Sequence, residues 1–441
     1  MLHAGKKRGA KELSLSLFAN GSGAPLAFLA NLVLARLLGP DAYGNYMAIL
    51  SAGLVAGGVA VFGTGTLLTR EIAASTPDEQ FKAAQLIGGW ALKFTTILTF
   101  LILLGLLLWL IVGAAGAPIT NWPERIAISG LVWVSVWVVL VAGILGGLGQ
   151  VAKSQFIVYF LKNGLLLLGA IVVSLYNIGA TVSTVLGLQV LAYSGAALMG
   201  VWWIYNSRRT VGDKHHFRDH DHLDPSQNSR GWLRSSRHFF VGSAATMLLA
   251  RLDVLIVNGI GGVTAAGLFA AGARLGQIGI IVGTVWSAWL QPRMAYQVRK
   301  GDIDAVLRTL RIGLAGTLSM TGVSFLVGWV FAPWLMSLLG PGFSEAVQPF
   351  RWILIGCFLW SPSVPFYVFL NMSGHEMVVA RIRWVQLGAT VALSFPLVKS
   401  FGALGGAWAW AAGMGVTSAI TIIIGILNIR AHYLAEAVKK P

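Results

Sequence analysis

The stretch LLGPDAYGNY, residues 37–46, interrupts a long apolar run with a Gly-Pro turn and sets the reading of the whole chain. The stretch GIGGVTAAGLF, residues 259–269, repeats its spacing: Gly39 falls on Gly262, Gly44 on Gly267 and Tyr46 on Phe269, a displacement of 223 residues each time. The same displacement carries Arg70 onto Arg293, and Ile178–Ala180 (IGA) onto Phe401–Ala403 (FGA). Glycines coincide often by chance, so the weight lies in the unchanging offset, which marks an internal duplication.

What is duplicated follows from composition. The 441 residues are 56% hydrophobic and 11% charged, with a mean hydropathy of +0.74, more apolar than a water-soluble globule of this length requires. Apolar runs long enough to cross a ~30 Å hydrocarbon core recur throughout. They predict twelve helices at roughly 13–38, 43–69, 84–114, 126–149, 155–176, 180–205, 238–260, 264–291, 308–338, 347–371, 378–399 and 403–428. The N-terminus is basic and then apolar without a small-residue cleavage site, so it is expected to be a retained first span.

Six spans per copy is an even number, so both copies enter the bilayer from the same side and the repeat is parallel, about an axis along the membrane normal. The expected fold is thus an all-α integral membrane protein of two six-helix lobes, 1–207 and 238–441, joined by a linker at 208–237 and enclosing a central cavity. Such lobes suit alternating access to a shared cleft.

The net charge of +16 would suggest nucleic acid in a soluble chain, but here the basic residues sit mostly in loops. Lys6, Lys7, Arg8, Lys11, Arg70, Lys82, Lys153, the cluster from Arg208 to Arg237, Arg293, Arg299, Lys300, Arg308, Arg311, Arg381, Arg383, Arg430, Lys439 and Lys440 share one side, leaving Arg125, Arg351, Lys399 and, near the boundary, Arg36 on the other. That asymmetry places both termini in the cytoplasm and accounts for the charge without nucleic acid. The linker holds His215, His216, His220, His222 and four aspartates; a metal site is conceivable there, but mixed-charge tracts with Pro and Ser read as solvated linkers, and no metal is expected. The lone Cys357 lies in an apolar run and reads as an inert thiol.

Charge inside a span costs at least about 2.5 to 3.5 kcal/mol on insertion scales, so such residues are functional candidates. They are Lys93, Lys162, Arg251, Asp253 and Arg274. Asp253 is the acid well inside a span; it lies about as far before the 262–264 turn as Arg274 lies after it, so the two fall at similar depth. They either lock the hairpin as a pair, or Asp253 takes up H⁺ or Na⁺ and releases Arg274. Arg251, two positions away, is expected on another side of the helix. Lys93 and Lys162 either face the cleft or snorkel to headgroups. Arg36, in the last turn of the first helix, either anchors at headgroup phosphates or receives an anionic ligand at the outer mouth. A cationic interior lowers the cost of bringing a phosphate or pyrophosphate into low dielectric.

Asn20, Gly21, Gly23 and Pro25 weaken the first helix, and Pro362 and Pro365 the tenth, which makes both candidate hinges. The chain has no Gly-x-x-x-x-Gly-Lys-Ser/Thr loop, no His-Glu-x-x-His, no paired intramembrane carboxylates and no long external loop. No catalytic residue or cofactor is expected, and the chain is read as a non-enzyme.

At the level of motifs, LANLVLARLLGPDAYGNYMAIL (29–50), RLDVLIVNGIGGVTAAGLFAAGARLG (251–276) and LNMSGHEMVVARIRW (370–384) with SFGALGGAWAW (400–410) resemble the polysaccharide and O-antigen flippases of the multidrug, oligosaccharidyl-lipid and polysaccharide exporter (MOP) superfamily. The resemblance implies an oligosaccharide unit on undecaprenyl diphosphate as cargo, moved from the cytoplasmic to the periplasmic leaflet of a bacterial inner membrane by ion-coupled alternating access. It also implies polysaccharide polymerase and chain-length machinery as partners. Arg251, Asp253 and Arg274 stand in its RLD and GARL motifs; Lys93 and Lys162 match none. Three rivals stand beside it: a drug or cation exporter of the same superfamily, which would want acidic and aromatic lining; a polysaccharide polymerase or ligase, which would want a large external loop; and an assembly scaffold.

Overall fold

The computed structural model describes residues 2–75, 80–112, 122–176, 179–211 and 225–437; side chains are not described for 2–20, 109–112, 208–211, 225–228, 277–278, 281–282, 284–285, 288 and 431–437. The side chains of the basic N-terminal residues and the whole His/Asp-rich part of the linker fall outside these. Among the described residues all regular structure is helical.

The first half comprises α1 (Leu2–Val61), α2 (Thr64–Ala74), α3 (Gln80–Val112), α4 (Trp122–Gly147), α5 (Val151–Gln155), a π-helical turn (Phe156–Leu161), α6 (Lys162–Leu175) and α7 (Val182–Val211). The second comprises α8 (Pro225–Leu249), α9 (Leu252–Lys300), α10 (Ile303–Leu338), α11 (Val347–Trp360), α12 (Val364–Met372) and α13 (Glu376–Ala437). Three of these helices hide turns: α1 breaks at Gly39, α9 at Gly262 and α13 at Gly402. Among the described residues, resolving them, and joining the second part of α1 to α2, α5 to α6, α8 to the start of α9 and α11 to α12, gives the twelve spans expected, six in each half.

Two differences from the expected helices bear on the site. The seventh span is not continuous: α8 stops at Leu249, and α9 starts at Leu252 with Arg251 (φ −142°, ψ −30°) as its N-cap. The fifth contains the π-helical turn Phe156–Leu161. Neither carries a Gly or Pro signal, so a reading based on breakers passes over both.

The chain divides into two compact units, Met1–Leu38 with Ile49–Met247, and Gly39–Ala48 with Leu248–Pro441. In the first, α4 packs against α2, α3 and α7 around Leu67, Leu68, Ile72, Ile87, Val136 and Leu140. In the second, α9 and α13 pack on each other and on α11 and α12, with Leu290, Met294, Leu310, Phe366 and Phe369 in one core cluster.

The second unit shows the duplication as a physical contact. Gly39 (φ 71°, ψ 172°) and Gly262 (φ 86°, ψ 175°) adopt nearly the same backbone conformation, closed to residues with a Cβ at ordinary cost. The segments after them cross reciprocally. A Cβ on Gly44 would collide with the Val263 carbonyl and the Gly267 nitrogen; one on Gly267 would collide with the Pro40 carbonyl and the Gly44 nitrogen. Thr264 Oγ1 donates to Asp41 Oδ1 at 2.6 Å, again between residues 223 apart. Tyr46 and Phe269, another matched pair, are both fully buried.

Because the obstacles at Gly44 and Gly267 are main chain, Gly44→Ala and Gly267→Ala are expected to destabilise the protein by about 1–3 kcal/mol. Gly89→Ala, in α3 with nothing within 4 Å of the added Cβ, is expected to be neutral or to stabilise by up to about 1 kcal/mol. Thermal unfolding of the purified variants in one detergent checks the contrast.

Candidate functional site

The break between α8 and α9 sets charged residues at a helix start inside a span of the second unit. The first N–H groups of α9 have no partner from a preceding turn, and the helix dipole adds partial positive charge there. Asp253 lies in this first turn, its Oδ1 accepting the Val254 N–H at 2.7 Å. Arg251 and Arg274 both act on that carboxylate electrostatically, and Arg274 acts in the same way on Tyr43. Asp253, Arg251 and Arg274 are half-buried. Tyr43, 1% exposed, packs with its ring 6.1 Å from Tyr46 and 6.0 Å, edge-on, from Phe343.

Four groups from three segments are therefore gathered around one carboxylate and one guanidinium. Asp253 and Arg274 come together across the Gly262 turn at the depths their spacing implies. Their interaction is through the field rather than a close bridge: among the described residues the ion pair within 4.0 Å is Arg70–Glu71, outside the spans' interior. Arg251 is not simply on another helix face, because the helix does not run through it. Its non-helical φ/ψ turns it into the cap of the segment that bears Asp253. Tyr43 escaped the sequence reading because a tyrosine beside a turn looks like ordinary packing.

The remaining candidates are placed as follows. Lys162 follows the π-helical turn, with its Nζ 4.9 Å from the Tyr193 ring centre, a cation–π contact within the first unit. Its neighbour Asn163 donates to the Gly23 carbonyl (3.1 Å) and the Tyr159 carbonyl (2.8 Å), tying the Gly23–Pro25 part of α1 to the π turn. A Cβ on Gly23 would strike Tyr159, whereas Gly21 faces open space; the Asn20 side chain is outside those described. The backbone of α1 keeps helical angles from there to Gly39. Lys93 is exposed, on the α3 stripe that also carries exposed Ile97, Phe100 and Leu104, while Thr95 and Thr99 face inward. Arg36 is exposed, in the last turn before the Gly39 break. Pro362 and Pro365 bracket a 3₁₀ turn, Ser361–Ser363, between α11 and α12. The Ser361 hydroxyl donates to the Phe358 carbonyl (2.9 Å), which Pro362 has no N–H to reach.

A helix broken inside a membrane span can supply charge and free backbone groups to a site. A family model described as "Polysaccharide biosynthesis protein" matches residues 10–295, and the chain belongs to that family. No curated protein matches the sequence.

Among solved structures, the chain is similar to a multidrug resistance MATE family transporter of the MOP superfamily in an inward-facing conformation, with 17% identity, a TM-score of 0.73, and coverage of 93% of this chain and 95% of that one. An outward-facing MATE transporter gives 16% identity and a TM-score of 0.63, covering 96% and 95%. A MOP superfamily transporter from Pyrococcus furiosus, described by a reverse polarity of its binding pocket suggesting a different function, gives 17%, 0.59, and 96% and 95%. These likenesses establish the fold, that of a multi-pass membrane protein.

Two substitutions separate charge from capping at Asp253. Asp253→Asn keeps an oxygen to accept the Val254 N–H and is expected to leave thermal stability within about 1 kcal/mol of the parent. Asp253→Ala removes the acceptor as well and is expected to cost about 0.5–2 kcal/mol. Equal loss in both variants, measured by unfolding in detergent, would show that the charge rather than the hydrogen bond secures this helix start.

Proposed function

We propose that the protein is a flippase that moves saccharide units linked to undecaprenyl diphosphate from the cytoplasmic to the periplasmic leaflet of a bacterial inner membrane, by ion-coupled alternating access, in cell-surface or exopolysaccharide assembly. The observation that carries this reading is the Arg251–Asp253–Arg274 group at a broken helix, in a chain of the polysaccharide biosynthesis family.

Flipping makes no covalent bond; its barrier is the desolvation of sugars and of a diphosphate. Guanidinium groups lower that barrier, because each can form two charge-assisted hydrogen bonds to phosphate oxygens and keeps its charge at any physiological pH. Asp253 balances them when the site is empty. Protonation of the carboxylate, or Na⁺ bound to it, frees Arg251 and Arg274 for the anion, which couples an ion gradient to cargo. Partners in this reading are the lipid bilayer, the lipid-linked saccharide and the polymerase and chain-length machinery downstream; both termini are cytoplasmic. No catalytic group or cofactor enters.

The same fold carries multidrug transport in its solved neighbours, so export of organic cations is the second reading. Against it stands the local charge, two arginines to one aspartate, which repels a cation. Polarity also distinguishes function in the neighbour from Pyrococcus furiosus, where a reversed pocket polarity suggests a different function.

The test is reconstitution in liposomes with a fluorescent undecaprenyl-diphosphate saccharide, scoring leaflet accessibility with and without a proton or Na⁺ gradient. Wild type is expected to move the lipid faster with a gradient, Arg274→Gln to slow it roughly tenfold, about 1.4 kcal/mol of barrier, and Asp253→Asn to remove the gradient dependence. Transport of an organic cation, with no movement of the lipid, would overturn the proposal.

A further inference from the structure

An apolar groove of about 520 Å³ runs along the second unit, between α10, α12 and α13. Leu307 and Leu314 of α10, Phe366 of α12 and Ile426 of α13 form its walls, and two arginines stand among them, Arg311 and Arg430. The helical spacing gives the arrangement its logic. Arg311 is one turn from both Leu307 and Leu314, and Arg430 one turn from Ile426, so each guanidinium shares a face with an apolar wall residue. Both side chains are exposed, and neither has a carboxylate within 4.0 Å among the described residues. Arg311 lies eight residues into α10, about 12 Å from its start at Ile303.

We infer that this groove is a docking site for the polyprenyl diphosphate lipid itself: the isoprenoid chain lies along the apolar walls, and the diphosphate is held between Arg311 and Arg430. The inference rests on the flippase reading and deepens it by giving the lipid end of the cargo a place apart from the Asp253 site. Two features select this occupant. A diphosphate diester carries two negative charges, matched by two guanidinium groups from two helices, whereas a bilayer phospholipid offers one phosphate charge. The groove also has the volume of a single ligand site, in the usual range of about 300–1,000 Å³, and its walls are apolar, as one hydrocarbon chain needs. A polar saccharide would leave its hydroxyls unpaired there.

The decisive measurement is photocrosslinking of the full-length protein, in phosphatidylcholine nanodiscs, with an undecaprenyl diphosphate bearing a diazirine on its isoprenoid chain, followed by peptide mapping. Label is expected on α10 and α13 peptides. Arg311→Gln combined with Arg430→Gln is expected to weaken labelling about ten- to a hundredfold, the worth of hydrogen bonds to a charged group. Ile426→Trp, at an exposed wall position, is expected to reduce it by filling the groove with both arginines intact; unchanged thermal unfolding shows that either variant is folded.

Labelling confined to other segments, or undiminished in both variants, would overturn the groove while leaving the flippase reading in place. Competition by phosphatidylglycerol or by inorganic pyrophosphate equal to that of unlabelled undecaprenyl diphosphate would also overturn it, by assigning the groove to bulk lipid or to a free anion. No labelling above background anywhere would remove both the groove and the flippase reading.

Discussion

The reciprocal approach of Gly44 and Gly267 is the constraint on which the second unit is built. Each glycine brings its main chain against the other's, leaving no room for a side chain on either, and the Asp41–Thr264 hydrogen bond seals the same crossing between equivalent residues. In a membrane the hydrophobic effect does not drive helices together, so close packing of small residues and a few hydrogen bonds must do it. The crossing also explains why Gly39–Ala48, which belongs to the first repeat by sequence, belongs to the second unit by packing.

With that crossing fixed, the charged group follows. Gly262 reverses the chain, so residues at matching distances on its two sides meet at the same depth, and Asp253 meets the field of Arg274. Tyr43 enters from the other arm of the crossing, four residues beyond Gly39, and feels the same arginine. A turn chosen for close packing thus positions charge about two helical turns or more away.

The duplication, the twelve spans and the identity of the charged residues were legible because each leaves a local mark: a glycine spacing, an apolar run, a charge where none belongs. The break at Ala250–Arg251 left no glycine or proline. Its residues, LLARL, are good helix formers by propensity, and the interruption comes from tertiary context, which routinely overrides propensity. The mark was present in a different form: an aspartate two residues after an arginine inside an apolar run suits a helix N-terminus better than a helix middle, because its carboxylate can accept an orphan N–H there. The π-helical turn before Lys162 was hidden for the same reason. By contrast, Pro362 and Pro365 announced the 3₁₀ turn of the tenth span directly, since proline cannot supply the missing N–H. For Lys93 and Lys162, depth alone did not fix direction; the structure sets one on an exposed stripe and the other against a tyrosine ring.

The low identity to the solved transporters, 17% with a TM-score of 0.73, has a physical meaning for function. Helix packing tolerates wide substitution among apolar residues of similar volume, so the same spans can be kept while most positions drift. Charge inside a span tolerates little, because every unneeded ion there costs insertion energy. Cargo selection in such a fold is therefore concentrated in the few positions where that cost is borne. In the flippase reading proposed above, those positions in the second unit are Arg251, Asp253 and Arg274, and the net positive charge of the three, more than the shape of the fold, is the ground for proposing an anionic lipid over an organic cation.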